Sequence, residues 1–320
     1  MRSQKLKNLL AGIWIVNSLV CLLTAGGYVW YAGAQHAEAP IPVATLPLPT
    51  FTPEPSITPL PPPTQRATIT PWPTPSLGPS VTPMTLRPPN VMVIGFSVEK
   101  RALEVYKFGT GPIHKLIVAG IHGGYEWNTI ALADELIGYL NDHPERIPAD
   151  TTLYLLHNLN PDGLAHGKTP DGRTNSDNVD LNRNWPYNWV PDWSREGCFG
   201  ERLLTGGSGP ASEPEVQALM KFIAQIKPAA LISYHSAALG IFPGGRPDFP
   251  PSMSLGAAVA AVSYYPYPPI NTGCDYTGNL TDWAANTQKI PALDIELSTH
   301  QDTDFAQNLK VLQAFLEWKK

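Results

Sequence analysis

Two histidines and two glutamates of this 320-residue chain stand where hydrolytic chemistry could be assembled. His122, His235 and Glu296 each close or follow a short apolar run (KLIVAGI, ALISY and ALDI), and Glu126 lies about one helical turn beyond His122. Two neutral imidazoles and one carboxylate form the ligand set of a catalytic zinc, which keeps its fourth position for water. His122, Glu126 and His235 are therefore the candidate ligands of a single Zn2+. Glu296 is then a carboxylate outside the ligand set, placed to act as general base toward the water. A further polar segment, Asn160-Pro161-Asp162-Gly163, follows the run TLYLLHNL. Taken singly these features are ordinary: a histidine at a strand end is more often a satisfied polar residue than a ligand, and HGG is a common turn. The information lies in their combination at four strand ends.

The elements that must position these groups follow from the apolar patterning. VMVIGFSV and ALEVYKF read as a hairpin pair, and KLIVAGI (115–121), TLYLLHNL, ALISYH (230–235) and ALDIEL (292–297) as short buried strands. Ile130, Leu132, Leu136, Ile137 and Leu140 recur at helical spacing between Glu126 and Leu140. Ser212-Glu213-Pro214-Glu215 reads as a capping box opening a helix that ends near Ile226, and residues 303–318 as a closing helix with Phe305, Leu309, Leu312 and Phe315 inward. Strands alternating with helices predict an α/β domain with a mixed, mostly parallel central sheet flanked by helices. In such sheets ligands bind beyond the carboxyl ends of the strands, where the candidate groups stand.

The rest of the chain sets compartment and reach. Arg2, Lys5 and Lys7 precede an uncharged run from Leu9 to Ala34. That run meets the roughly 20 apolar residues a membrane-crossing helix needs, and it exceeds the about 7–15 of a signal-peptide core. Basic residues ahead of it predict a cytoplasmic N-terminus and an exported remainder; a cleaved signal ending near Ala34 or Ala39 would give a secreted protein instead. Residues 1–39 are thus the expected anchor or signal. Between Pro40 and Asn90 stand 17 of the 35 prolines, which deny a helix or sheet its donors and predict a disordered, extended stalk. At about 3.1 Å per residue it could reach roughly 150 Å from the membrane. The folded domain is then 91–320, of a size that buries an ample core. A net charge of −5 argues against nucleic acid as a partner. Three cysteines exclude a zinc site built of cysteines alone, and sequence leaves a Cys198–Cys274 bridge open.

Val179-Asp180-Leu181-Asn182-Arg183-Asn184-Trp185 resembles the GVDLNRNF segment of the zinc metallocarboxypeptidases of the carboxypeptidase A superfamily. NPDG (160–163), Arg173-Thr174-Asn175, SEPE (212–215), SYHS (233–236), Tyr276 with Gly278 and Asp282-Trp283-Ala284, and ALDIEL keep the order of the family's short bacterial forms. The resemblance spans about residues 91–320 and implies a zinc peptidase acting on an amide next to a residue with a free carboxylate; together with the N-terminal segment, the expected enzyme is exported and membrane-tethered. Carried over by position, it implies His122, Glu126 and His235 as zinc ligands, with Asp180 orienting His122 through the other ring nitrogen. Asn182 and Arg183 would clamp the substrate carboxylate, Arg173 would stabilise the oxyanion, Tyr276 would close over the bound residue, and Glu296 would activate the water.

Three departures from the family pattern stand out. Glu126 follows His122 by four residues rather than three, a step that Gly123-Gly124 can absorb in a tight turn. Gly124 and Tyr125 replace an Arg of the digestive forms, and Asn178 stands where a Gly is usual. Thr281 makes the side-chain pocket neutral, with Asp275 the acidic residue in reach, and so favours apolar or small side chains. The rival enzyme is a cell-wall peptidase cutting γ-D-glutamyl-diaminopimelate bonds; a deacylase of the same superfamily is disfavoured by NPDG and DLNRN. From another class, a non-catalytic zinc-containing module binding peptides or glycans would be expected to have lost Glu296 or Arg173. His157, His166 and His300 match no ligand position and read as structural.

Overall fold

The computed structural model describes residues 90–320, except 194–199, 202, 238 and 272. The expected membrane segment, almost all of the expected stalk, and Cys198 lie outside the described residues. Among the described residues no helix is long and apolar enough to cross a membrane.

Seven strands form one sheet: β1 (Val91–Phe96), β2 (Ala102–Gly109), β3 (Ile113–Val118), β4 (Thr151–Leu156), β5 (Ala230–Ser236), β6 (Ile241–Pro243) and β7 (Ala292–Leu297). Their order is β1-β2-β4-β3-β5-β7-β6. The central strands β4, β3, β5 and β7 run parallel, whereas the β1–β2, β2–β4 and β6–β7 pairings are antiparallel. Three of six pairings are therefore parallel, and the expected parallel character is confined to the centre. Parallel neighbours need a long crossover and antiparallel ones only a short turn; β1 and β2 are joined through 97–101, where Ser97 N donates to Arg101 O at 2.9 Å and Arg101 N to Ser97 Oγ at 3.0 Å.

The crossovers supply the flanking layers. Helices α1 (Trp127–Asp142), α4 (Pro250–Ala260) and α6 (Phe305–Glu317) cover one face. Helices α3 (Pro214–Ile226) and α5 (Leu280–Asn286) cover the other, and α2 (Pro161–His166) is a short turn of helix beyond β4. Alternation along the strands divides the core between the faces: Ile117 and Ile232 face α1, and Leu116 and Leu231 face α3. The stripe expected of α1 is buried as read. In α6, Leu312 and Phe315 are buried together with Val311 and Leu316, while Phe305 and Leu309 pack at the margin.

Two features differ from the sequence reading. Helix α4 escapes detection because its inward face is Ser252, Leu255, Gly256 and Val259, small residues that give little hydrophobic periodicity. The SEPE segment is not a capping box. Helix α3 begins at Pro214 with Glu213 as N-cap and no side-chain cap bond. The Ser212 hydroxyl instead donates to Glu213 Oε1 at 2.6 Å. Glu213 Oε2 accepts from Asn175 Nδ2 at 2.7 Å, and Glu213 N donates to Asn184 Oδ1 at 3.2 Å. The segment thus anchors both ends of the 175–184 loop.

A buried lysine closes the fold. Lys115, in the middle of β3, is 1% exposed, and its ammonium donates to the carbonyls of Phe315, Leu316 and Trp318. These belong to the last turn of α6, where a helix leaves carbonyls without partners and favours a cation. Lys115→Met keeps the volume and removes the donors. It is expected to lower the unfolding free energy by about 2–4 kcal/mol, because several buried carbonyls lose their partner. Urea denaturation of the metal-loaded protein reads this, and a loss under about 0.5 kcal/mol would show that water or a shifted helix end serves equally well.

Candidate metal centre and cleft

From β3 the chain crosses to β4 on one side, while β5 lies on the other, so a crevice opens where the strand order reverses. His122 comes from the loop after β3, and His235 from the end of β5. The β5–β7 register pairs His235 with Glu296 and Ser233 with Asp294, which sets these four side chains on one face of the sheet.

The extra residue between His122 and Glu126 is taken up by close packing. Gly123 has φ +46°, and a side chain on Gly124 would stand 2.2 Å from the Gly167 carbonyl oxygen. Gly124 N donates to Gly172 O at 3.0 Å and Tyr125 N to His122 O at 3.2 Å. The turn delivers Glu126 to the N-cap of α1, with its Oε1 2.7 Å from His122 Nδ1. His235 Nδ1 is 3.3 Å from His122 Nδ1 and 3.3 Å from Glu126 Oε2. Ligand atoms of His122, Glu126 and His235 all fall within 4.8 Å of one another, and all three residues are buried.

This donor set fits a divalent cation. Two imidazole nitrogens face each other beside a carboxylate whose Oε2 is buried and has no hydrogen bond among the described residues. Burial lowers His235, but its contacts with Asp294 and Glu126 raise it to about 10, so the surrounding carboxylates favour positive charge at that ring. Metal binding displaces such a proton. Burial also raises Glu126, yet His122 and then His235 hold it far below the ordinary carboxylate range.

The outer nitrogen of each imidazole meets a carboxylate. His122 Nε2 lies 3.2 Å from Asp180 Oδ1, as the resemblance implies. His235 Nε2 lies 3.2 Å from Asp294 Oδ1 and 3.1 Å from Ser233 Oγ. Sequence reasoning missed Asp294; the signal was its position two residues before Glu296, on the same strand face. Asp180 also accepts from Asn182 N at 2.8 Å and Arg173 Nε at 3.0 Å. Burial opposes its charge, but Arg173, His122 and Arg183 keep its carboxyl well below the ordinary value.

The remaining expected residues line a single cleft of about 510 Å³ with the three metal-site residues. Arg173 is buried and reaches Glu126 Oε1 with Nη1 at 3.3 Å. NPDG supports it, since Asn160 Nδ2 donates to the Arg173 carbonyl at 3.2 Å. Asp162 of the same motif turns away, accepting from Ser97 and Arg101 at 2.7 and 2.6 Å. Asn182 spends Oδ1 on Leu280 N at 3.0 Å and keeps Nδ2 near His235 at 3.4 Å. Arg183 is buried with its guanidinium carbon 4.7 Å from the Trp193 ring and 4.9 Å from the Tyr276 ring. Its Nε has no hydrogen bond among the described residues. Asn178 takes φ +63° at the usual Gly position.

Glu296 is part-buried and lines the cleft, and its Oε2 is a buried atom lacking a hydrogen bond among the described residues. Burial first, and then the Glu126 charge, push its carboxyl up to about 8. His300, read from sequence as structural, lines the cleft and faces the Tyr125 ring at 4.9 Å. His157 and His166 instead meet Asp134 and Ser176 outside the cleft. Cys274, near Tyr276, is disulfide-bonded.

Comparison with known proteins agrees with this geometry. The family model described as zinc carboxypeptidase matches residues 86–317. Murein peptide amidase A of Escherichia coli is 30% identical over 177 residues, which is 53% of this chain and 66% of that protein. Carboxypeptidase A5 of Macaca fascicularis is 32% identical over 176 residues, 48% of this chain and 39% of that protein. In both, the match spans less than two thirds of the relative. Among solved structures, murein-tripeptide amidase MpaA from Escherichia coli O157 has 26% identity and a TM-score of 0.57, covering 73% of this chain and 94% of that one. Thrombin activatable fibrinolysis inhibitor shares the fold, with a TM-score of 0.58 at 22% identity over 71% of this chain and 68% of its own.

The packed turn makes a direct test of the ligand assignment. Gly124→Ala forces a methyl against the Gly167 carbonyl and displaces Glu126, so zinc affinity is expected to fall about 10-fold or more. Gly138→Ala, in an exposed part of α1 where an added methyl meets nothing within 4 Å, serves as control. Competition with a chromophoric chelator measures both, and equal affinities would remove Glu126 from the ligand set.

Proposed function

The chain belongs to the zinc carboxypeptidase family, and from that premise we propose that it hydrolyses the amide bond preceding a residue with a free carboxylate. The observation that carries this reading is Arg183. A buried guanidinium held between two aromatic rings, with Nε unengaged, is a receptor for an anion that arrives with a ligand. It opens on the same cleft as the metal site and Glu296. A substrate carboxylate on Arg183, with Asn182 beside it and Tyr276 over it, brings the preceding amide toward the three ligands.

His122, Glu126 and His235 would hold the zinc, which when bound acidifies water and polarises the scissile carbonyl. Glu296 accepts the proton of the attacking water at its unbonded Oε2 and returns it to the leaving nitrogen, so that the amine departs neutral. Arg173 holds the negative charge that develops on the carbonyl oxygen. Asp180 fixes His122 and Arg173 at once, which keeps ligand and oxyanion donor in one geometry.

A cell-wall peptide is the second substrate reading, supported by the murein peptide amidase relatives. A non-catalytic module is disfavoured because Glu296 and Arg173 both line the cleft. The uncharged run 9–34 and the proline-rich stretch after it support an exported enzyme tethered by its N-terminal segment.

Full-length zinc-loaded protein incubated with ordinary peptides and a purified muropeptide, read by mass spectrometry, tests the proposal. Loss of single C-terminal residues is expected, and Glu296→Gln should lower turnover by about 10³-fold or more while keeping one zinc per chain. In the wild type, the base works only when deprotonated, so kcat/KM rises with pH; a bound dication sets the midpoint of that limb below 8. Turnover surviving in Glu296→Gln, or a limb centred above 8, would remove Glu296 as the base.

A further inference from the structure

We infer that His300 is a specificity residue on the acyl side of the cleft, where its Nε2 accepts a hydrogen bond from the first N–H that lies beyond the scissile carbonyl. The inference rests on the reading that Arg183 receives the substrate carboxylate and Arg173 the scissile carbonyl.

The two ends of the cleft are lined differently. At one, the Tyr276 ring covers Arg183 at 4.9 Å. At the other, the Tyr125 ring lies 5.9 Å from the guanidinium carbon of Arg173 and faces the His300 ring at 4.9 Å. A peptide anchored on Arg183, with its scissile carbonyl toward Arg173, therefore sends its acyl part toward Tyr125 and His300. The Tyr125 hydroxyl donates to Glu201 Oε1 at 3.2 Å, so Tyr125 offers a ring face and His300 the polar atom.

Which ring nitrogen carries the hydrogen is settled from the buried side. Asn128, in the first turn of α1, has no exposed surface, and its Nδ2 donates to the carbonyls of Thr299 at 2.7 Å and Asp302 at 2.9 Å. Two acceptors there fix the amide, so Oδ1 is the atom turned to Ser236, whose hydroxyl donates to it at 3.0 Å. A hydroxyl has one proton, so toward His300 Nδ1, at 3.1 Å, the same Oγ can only accept. Nδ1 therefore bears the hydrogen, and a neutral imidazole is left with a lone pair on Nε2. That nitrogen has no hydrogen bond among the described residues. The Asn128 bonds also pin the 299–302 loop to α1, so the acceptor stands on a held loop.

Such an acceptor gains from an N–H and is repelled by an oxygen in the same place. The donor is either the backbone amide of a longer peptide or the free ammonium of a dipeptide, which share this chemistry.

The test uses the full-length zinc-loaded enzyme at about pH 8, above the ordinary histidine range. Benzoyl-glycyl-X is compared with benzoyloxyacetyl-X, in which one oxygen replaces the N–H; X is the residue released fastest from ordinary peptides. Glycyl-X runs beside them, and the higher kcat/KM of the two N–H substrates identifies the source. Benzoyl-glycyl-X is expected to exceed its oxygen analogue in kcat/KM by about 3- to 10-fold. His300→Phe keeps a ring against Tyr125, removes the acceptor, and should bring that ratio close to one. Equal wild-type rates would overturn the inference. So would a His300→Phe variant that slows both substrates and keeps their ratio, since His300 would then only support its loop. Nitrogen-detected NMR of the histidine rings, with His300→Phe assigning the signal, should show hydrogen on Nδ1 and none on Nε2; the opposite tautomer would also overturn it. Calorimetry of the benzoyl pair on Glu296→Gln reads the preference without turnover. Tighter binding of the N–H compound, beside a wild type that cleaves nothing, would sink the peptidase reading and leave this one standing. Equal binding beside an active wild type would sink this one alone.

Discussion

Asp180 has no exposed surface, yet it carries charge: its oxygens receive Asn182 N and Arg173 Nε, and His122 Nε2 stands at 3.2 Å. These partners come from three separate stretches of chain. A buried carboxylate is tolerable only when its neighbours supply donors and opposite charge, and each neighbour is in turn fixed by supplying them. One side chain thereby sets the ring of a ligand, the direction of a guanidinium and the bend of the loop that carries Arg183. The loop needs its own supports, which Asn175, Asn184 and Glu213 provide through a closed set of hydrogen bonds. Loosening any of these would move several groups together, because they share acceptors.

The sheet contributes a coarse alignment that these bonds refine. Because β5 and β7 are parallel neighbours, His235 and Glu296 lie side by side without any loop having to bring them together. The crevice at the reversal of strand order leaves room on the other side of β3 for the turn bearing His122 and Glu126. Rigid strands thus carry His235 and Glu296, and packed loops carry Asn182 and Arg183, the groups proposed to hold substrate. The division suits a site in which the ligands must keep their distances while bound residues vary.

Much of this was legible in the sequence, for identifiable reasons. His122, His235 and Glu296 end apolar runs, and the strand-end rule gathers them before any coordinate is seen. DLNRN and NPDG are dense in residues that only a polar, folded loop would use. Asn178 at the usual Gly position already announced a left-handed turn. Asp294 was missed because a charged residue inside a strand reads as an interruption, and only the β5–β7 register shows that it faces the cleft. His300 was missed because no periodicity reports where a loop folds back. Helix α4 was missed because Ser252 and Gly256 share its buried face with Leu255 and Val259 without marking themselves as apolar. The SEPE misreading has a similar origin: a local motif was spent on tertiary bonds.

The contact between Lys115 and the carbonyls at the end of α6 joins residues about 200 positions apart. Strand β3 bears that lysine and leads directly into the His122 turn. Without the carbonyls of residues 315–318 that ammonium would stand in the central strand with no acceptor. The closing helix and the turn that carries His122 are therefore tied through one buried side chain, and loosening the end of α6 would be felt at the strand that leads into the metal site.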